Sequence, residues 1–354
     1  MTTPEPTRPE LDPRTRRLLE GPITPTLLRL AWPNLLVMLA QAAAGLIETA
    51  FIGRLGTDAL AGMALVFPLV MLMQMLSAGA MGGGIASAIA RALGAGRKAD
   101  ADALVMHAGL IALAFGVAFT ASLLLGGPWL YAVMGGSGAS LAAALAYSDV
   151  VFSGAVLVWL ANALMAVVRG TGHMKLLAVV NVAGVVALVP LSLLLIFGAG
   201  PVPALGIAGG AVAFLAYYLG IAVTLGLWLA SPRSLLRPGW RGLRWRRALL
   251  ADILRVGLVG MLSTVATNLT IGLCTALVGQ FGPAAIAGYG TAARLEYLLV
   301  PLVFGLGGPL VTLVGTCIGA GDRARSLRVT WIGVGVAALL AEAVGVTAAL
   351  FPAA

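Results

Sequence analysis

Two decapeptides 226 positions apart constrain this chain more than any other feature. Gly53-Arg-Leu-Gly-Thr-Asp-Ala-Leu-Ala-Gly62 returns as Gly279-Gln-Phe-Gly-Pro-Ala-Ala-Ile-Ala-Gly288, each copy closing a long apolar run. The same offset pairs Leu28-Arg29 with Leu254-Arg255 and Thr49-Ala50 with Thr275-Ala276. A slip of one residue pairs Gly94-Ala-Gly96 with Gly319-Ala-Gly321. A repeat of this length in an apolar chain points to two related helix bundles, the plan of many membrane carriers. In a chain of 354 residues the second copy would stop about halfway.

The solvent for such a chain is lipid. Hydrophobic residues make up 60% and charged residues 10%, with a mean hydropathy of +1.02. A water-soluble domain carries about a quarter charged residues, so this chain could not cover its surface in water. The 47 glycines fit close helix packing in a membrane. Apolar runs of ~20 residues specify helices, because barrel strands need only ~10 residues and alternate in polarity. The expected fold class is all-α, a polytopic membrane helix bundle.

The net charge of +9 invites a nucleic-acid partner, and its placement argues against one. Basic residues fall in the N-terminal tail and in alternate loops: Arg91, Arg97 and Lys98; Arg169 and Lys175; Arg233 to Arg247; then Arg323, Arg325 and Arg328. The intervening loops are almost free of them, with Arg54 in the first. This asymmetry predicts a cytoplasmic N-terminus and cytoplasmic basic loops. Residues 1–26 are polar and Pro-rich and read as a cytoplasmic tail without the apolar core of a signal peptide. Cys274 and Cys317 lie inside apolar runs and read as packing residues, with no disulfide expected.

Nine spans are predicted, near 27–55, 60–90, 104–126, 146–168, 176–198, 204–230, 251–280, 284–318 and 327–351. They divide the chain into a tail (1–26), a first six-helix lobe (27–230), a basic linker (231–250) and a partial second lobe of three helices (251–354). An odd count puts the Phe351-Pro-Ala-Ala terminus on the outer side.

Motifs in register along this frame carry a resemblance. Leu30-Ala-Trp-Pro33 opens helix one, Ile47-Glu-Thr-Ala-Phe-Ile-Gly-Arg-Leu-Gly56 closes it, and Ala59-Leu-Ala-Gly62 opens helix two. Val168-Arg-Gly-Thr-Gly172 precedes helix five, and Leu195-Ile-Phe-Gly198 with Ala204-Leu-Gly-Ile-Ala-Gly209 leads into helix six. Arg294-Leu-Glu-Tyr297 and Gly315-Thr-Cys-Ile-Gly-Ala-Gly321 lie in helix eight. The chain resembles the MATE family of multidrug and toxin efflux transporters, within the polysaccharide-flippase-like superfamily. The resemblance implies two six-helix lobes around a V-shaped cavity in the bacterial inner membrane. Such a protein would export amphipathic or cationic small molecules in exchange for protons or sodium. Measured against that plan, the last three helices lie beyond residue 354.

Glu48 is the candidate coupling residue. A carboxyl inside an apolar helix is costly to keep charged, which suits it to carrying a proton. Asn34, Gln41 and Glu48 recur every seven residues and so share one helix face. The resemblance implies that an aspartate at the Glu48 position couples transport in the DinF-like branch, here with Glu in its place. The polar pair expected in helix five reads Leu188 and Ser192, and the carboxylate that other branches carry in helix seven is matched by Ser263. Sodium needs several hard oxygens, so a proton is the better expectation. A carboxyl that only braces a neighbouring helix is the bland alternative.

Met38, Met71, Gln74 and Met75 are the candidate cargo contacts, since methionine adapts to varied apolar ligands, with simple helix packing as the alternative at this spacing. Ser263 and Thr267, with Thr264, Asn268 and Thr270, give helix seven a hydroxyl-rich face. Arg294 and Glu296 are candidates for the outer third of helix eight, either at the cavity or as a structural pair. His107 and His173 have no partner at ligand spacing, so no metal is expected. Met81-Gly-Gly-Gly84 lacks the Lys-Ser/Thr of a phosphate loop. No cofactor and no enzyme activity are expected; the partners are a small-molecule substrate, a coupling ion and membrane lipid. A flippase of lipid-linked precursors, or an assembly-dependent membrane protein without its own activity, are the alternatives.

Overall fold

The structure, a computed structural model, describes residues 11–237, 246–281 and 303–350. A short helix α1 (Pro13–Glu20) precedes the long α2 (Ile23–Gly53). Helix α3 (Thr57–Gln74) runs through a π-helical turn (Met75–Met81) into α4 (Gly82–Gly94). Then come α5 (Lys98–Val133), α6 (Gly138–Ser153), α7 (Ala155–Gly170), α8 (Met174–Phe197) and α9 (Ile207–Ala230). Helices α10 (Arg247–Gly279), α11 (Val303–Gly319) and α12 (Arg323–Leu350) complete the described chain.

Seven of these segments are long and apolar enough to cross a bilayer, with α3, the π turn and α4 acting as one 38-residue span. The pair α6 and α7 makes an eighth, bent by 51°. Its bend falls at Gly154, where an added Cβ would run into the Leu215 side chain, so the chain turns where only glycine fits. The predicted fourth span, 146–168, therefore starts earlier and is not straight. At 36 residues, α5 also exceeds its predicted 104–126 and extends beyond a ~30 Å hydrocarbon layer. The tail departs from expectation as well: Pro13 and the Asp12 side chain, which accepts from the Arg14 amide at 2.9 Å, start α1 within it.

Helices α2 to α9 share one core. Trp159, Tyr131, Phe152 and Ile89 are fully buried in it, and Phe115 stacks on Trp159 with centroids 5.0 Å apart. The outward faces expose Leu46, Leu125, Trp129 and Val179, as a lipid-facing surface does. The turns carrying Arg91, Arg97, Arg169, Arg246 and Arg325 gather at one end of the bundle, tied by Arg91–Asp252 (2.8 Å), by Arg246 with Asp100, and by the Arg237 amide to Asp102 (2.7 Å). This end is the basic face.

The sequence repeat becomes a pseudo-two-fold contact there. An offset of 225 equates Gly94 with Gly319 and Arg91 with Thr316. A Cβ on Gly94 would strike the Thr316 carbonyl, and one on Gly319 would strike the Arg91 carbonyl. Each contact is the image of the other, as a two-fold axis requires. Ala90 and Gly315, equated by the same offset, face each other across it: a Cβ on Gly315 would lie 2.9 Å from that of Ala90. Beside the axis, Gly84 packs with comparable closeness on the backbone of Ile253 and Gly257. Gly96 and Gly321 end their helices in matching left-handed conformations, with φ of 70° and 78°.

The first repeated motif makes a sharp contrast between two glycines. A Cβ on Gly62 would sit 2.7 Å from the Cβ of Ala143 and the amide nitrogen of Ala144, whereas Gly53 has nothing within 4 Å. Gly62→Val is expected to cost about 1–3 kcal/mol by forcing α3 from α6. It lowers the melting temperature in detergent, while Gly53→Ala leaves it unchanged or raises it.

Candidate functional site

The face of α2 that carries Asn34, Gln41 and Glu48 meets a different neighbour at each step. Asn34 donates to the carbonyls of Phe304 (3.2 Å) and Gly305 (3.0 Å) on α11, so it joins the two repeats. Gln41 donates to the side-chain oxygen of Asn181 on α8 (3.2 Å) and to the Tyr217 hydroxyl on α9 (3.4 Å). Glu48 is 7% exposed and accepts a hydrogen bond of 3.0 Å from the Tyr147 hydroxyl on α6. A common helix face therefore leads to three separate environments.

The Glu48 carboxyl is enclosed by three helices. Gly210 on α9 leaves it room: a Cβ there would lie 3.2 Å from the carboxyl oxygen, with Ile52 and Ile196 at 3.5 and 3.6 Å. Among the described residues no basic side chain pairs with Glu48, and Tyr147 is its hydrogen-bond donor. One turn before Ile196, the buried Ser192 hydroxyl has no partner among the described residues. Leu188, the other position of the helix-five pair, is buried and apolar.

A second polar network fills the middle of the bundle. Asn181 accepts from Tyr217 (2.9 Å) and donates to the Leu177 carbonyl (2.8 Å). The ring of Tyr217 stands edge-on to Tyr218, 5.0 Å away, and the Tyr218 hydroxyl accepts from Gln74. Asn162 donates to Gln74 (2.9 Å) and Ser77 (2.8 Å), and Ser77 donates to the Met73 carbonyl across the start of the π turn (2.7 Å). Gln74, expected at the cargo cavity, is thus committed to the bundle interior. Pairing of polar groups in this way is what an apolar surrounding favours.

The other cargo candidates fall elsewhere. Met71 and Met75 are exposed, and Met38 is half-buried. The Asn268 amide lies 3.9 Å from the Met75 sulfur, which brings the start of the π turn against α10. Ser263 and Thr267 are exposed on α10, with the Thr267 hydroxyl turned back to the Ser263 carbonyl (3.0 Å). Arg294 and Glu296 lie outside the described residues.

Sequence reasoning missed Tyr147, Asn162, Asn181, Tyr217 and Tyr218. The two asparagines were the available signal, each an isolated amide in an apolar run, where a polar side chain calls for a partner. Arg169 was read as one loop cation among several. It is turned instead into the base of the joint: its carbonyl accepts from Thr312 on α11 (3.0 Å), its guanidinium reaches the Ala78 carbonyl at 3.5 Å, and its Nε is buried without a partner among the described residues.

Known proteins share this arrangement. The MatE family profile matches residues 33–194. A Deinococcus radiodurans protein named "Probable multidrug resistance protein NorM" is 32% identical over 326 residues, covering 88% of this chain and 67% of its own length. A Shewanella oneidensis protein named "FAD transporter" is 28% identical over 317 residues, covering 87% and 68%. A crystal structure of a MATE protein in its bent conformation superposes with a TM-score of 0.89 at 26% identity, covering 97% of this chain and 76% of that one. The helical bundle is therefore that of a multi-pass membrane transporter and not of an enzyme, and the chain belongs to the MatE family.

Proposed function

We propose that this chain is a secondary exporter of amphipathic or cationic small molecules, driven by protons that load and leave Glu48. The observation that carries the reading is the enclosure of Glu48 by α2, α6 and α9, with the Tyr147 hydroxyl as its donor. An intramembrane carboxyl of this kind is a functional site by default. As a carboxylate it accepts from Tyr147; once protonated it has a hydrogen of its own to donate. The two forms favour different fits of α2 against α6 and α9, and coupling needs such a difference between states. Sodium would require several hard oxygens around the same point, whereas the hydrogen bond described at Glu48 comes from a single hydroxyl, which supports the proton as the coupling ion. The placement also supports the DinF-like branch.

The basic face is read as cytoplasmic, with the N-terminus on that side. Residues 27–230 act as one lobe, 231–250 as a linker, and the helices from 251 onward as part of the other. Cargo is taken between the lobes, where Met71, Met75, Ser263 and Thr267 offer an adaptable, mixed surface. The name of the Shewanella relative adds FAD to the compounds to be tested.

Proteoliposome efflux of a cationic dye is the direct test. Glu48→Gln is expected to cut pH-driven transport more than about tenfold, and Tyr147→Phe by a smaller factor. Transport by Glu48→Gln at the parent rate would remove Glu48 from the mechanism. Collapsing the pH gradient with an ionophore stops transport, whereas replacing sodium with potassium leaves it intact; the opposite pattern would make sodium the coupling ion. Gly210→Val, which fills the space beside the carboxyl, lowers transport without abolishing membrane insertion.

A further inference from the structure

We propose that α1 is a clasp that holds the two repeats together at the basic face and must lift before they part there. The proposal rests on the two-lobe reading above and goes beyond it, because nothing in that reading requires the segment before α2.

One side chain carries most of the contact. Leu18 is buried with Leu27 of α2, Leu313 and Cys317 of α11 and Val329 of α12. The same side chain reaches the turn between α7 and α8: a Cβ on Gly172 would lie 3.2 Å from it. The Arg14 side chain borders that turn as well, and burial followed by the Arg14 charge holds the neighbouring His173 imidazole below its usual range. Thus an eight-residue helix touches both repeats, and Leu18 alone reaches residues of each.

The second repeat also grips the helix. Arg325, in the first turn of α12, donates to the Leu18 carbonyl (3.2 Å) and to the Gly21 carbonyl, the exposed acceptors at the C-terminal end of α1. A cation at that end satisfies free carbonyls and complements the helix dipole. The clasp closes over a joint already held by Arg91–Asp252 and by Thr312 on the Arg169 carbonyl. Parting the repeats at this face pulls Leu313, Cys317 and Val329 away from Leu18 and Gly172 together, so α1 cannot keep both sets of contacts.

Thiol labelling of the purified full chain in nanodiscs tests this without reference to transport. With Cys274→Ser, Cys317 is the remaining native thiol. A second reporter is Ser87→Cys in a background with Cys274→Ser and Cys317→Ser; the Ser87 carbonyl lies by Gly315 at the pseudo-axis. Leu18→Asp and Arg325→Ala are each expected to speed labelling at both reporters by at least about fivefold. Arg16→Ala, whose side chain lies on the exposed flank with Glu20, labels at the parent rate. Should Leu18→Asp not fold, Arg325→Ala carries the test alone. Acceleration at Cys317 alone would mean that α1 merely covers it, and acceleration at neither would mean that it holds nothing; either result overturns the clasp. A normal Glu48→Gln rate alongside faster labelling would overturn the coupling role and leave the clasp standing.

Discussion

Close approach of backbone to backbone at the pseudo-two-fold axis is the contact on which the arrangement depends. Gly94 meets Thr316 and Gly319 meets Arg91 with no space for a side chain, and Ala90 faces Gly315 between them. Between helices in lipid there is little hydrophobic drive, so association rests on packing of this kind. The joint fixes the two repeats at the basic face, with Thr312 on Arg169 and Arg91 on Asp252, while Asn34 ties α2 to the opposite end of α11. Away from it, α10 exposes Leu262, Leu269, Leu273 and Leu277, and Asn268 by Met75 marks a looser contact.

Polar groups in this bundle follow a single rule with two outcomes. Most are consumed in structure: Gln41, Asn181, Tyr217, Tyr218, Gln74, Asn162 and Ser77 bond to one another or to the backbone. Such a network fixes the relation of α3, α7, α8 and α9, because removing one member strands another in an apolar setting. Glu48 differs. It has a donor in Tyr147 and space made by Gly210, and among the described residues no basic side chain pairs with it.

How far the sequence could be read depended on the length scale of each signal. The apolar runs made the helical bundle legible, because lipid forces backbone groups into helices. The seven-residue spacing of Asn34, Gln41 and Glu48 placed them on one face correctly in local terms. What it could not supply was the partner of each, since α2 passes α11, α8 and α6 in turn, and those meetings join residues 99 to 271 positions apart. Tyr147 and Gly210 carry no local mark of their role. Gln74 shows the same limit: its partners Tyr218 and Asn162 come from other helices, and nothing beside it in the chain marks them.

By itself, then, the sequence determined that the chain is a membrane helix bundle with a repeated plan, which end is basic, and that one carboxyl stands inside a span. These follow from composition, periodicity and charge placement, all properties of neighbouring residues. Tertiary structure alone decided that Glu48 is enclosed by three helices, that α1 bridges the two repeats, and that Arg169 faces their joint. Those outcomes depend on which helix surfaces come within a few ångströms of each other, and packing among many apolar faces of similar composition leaves no trace in any one segment.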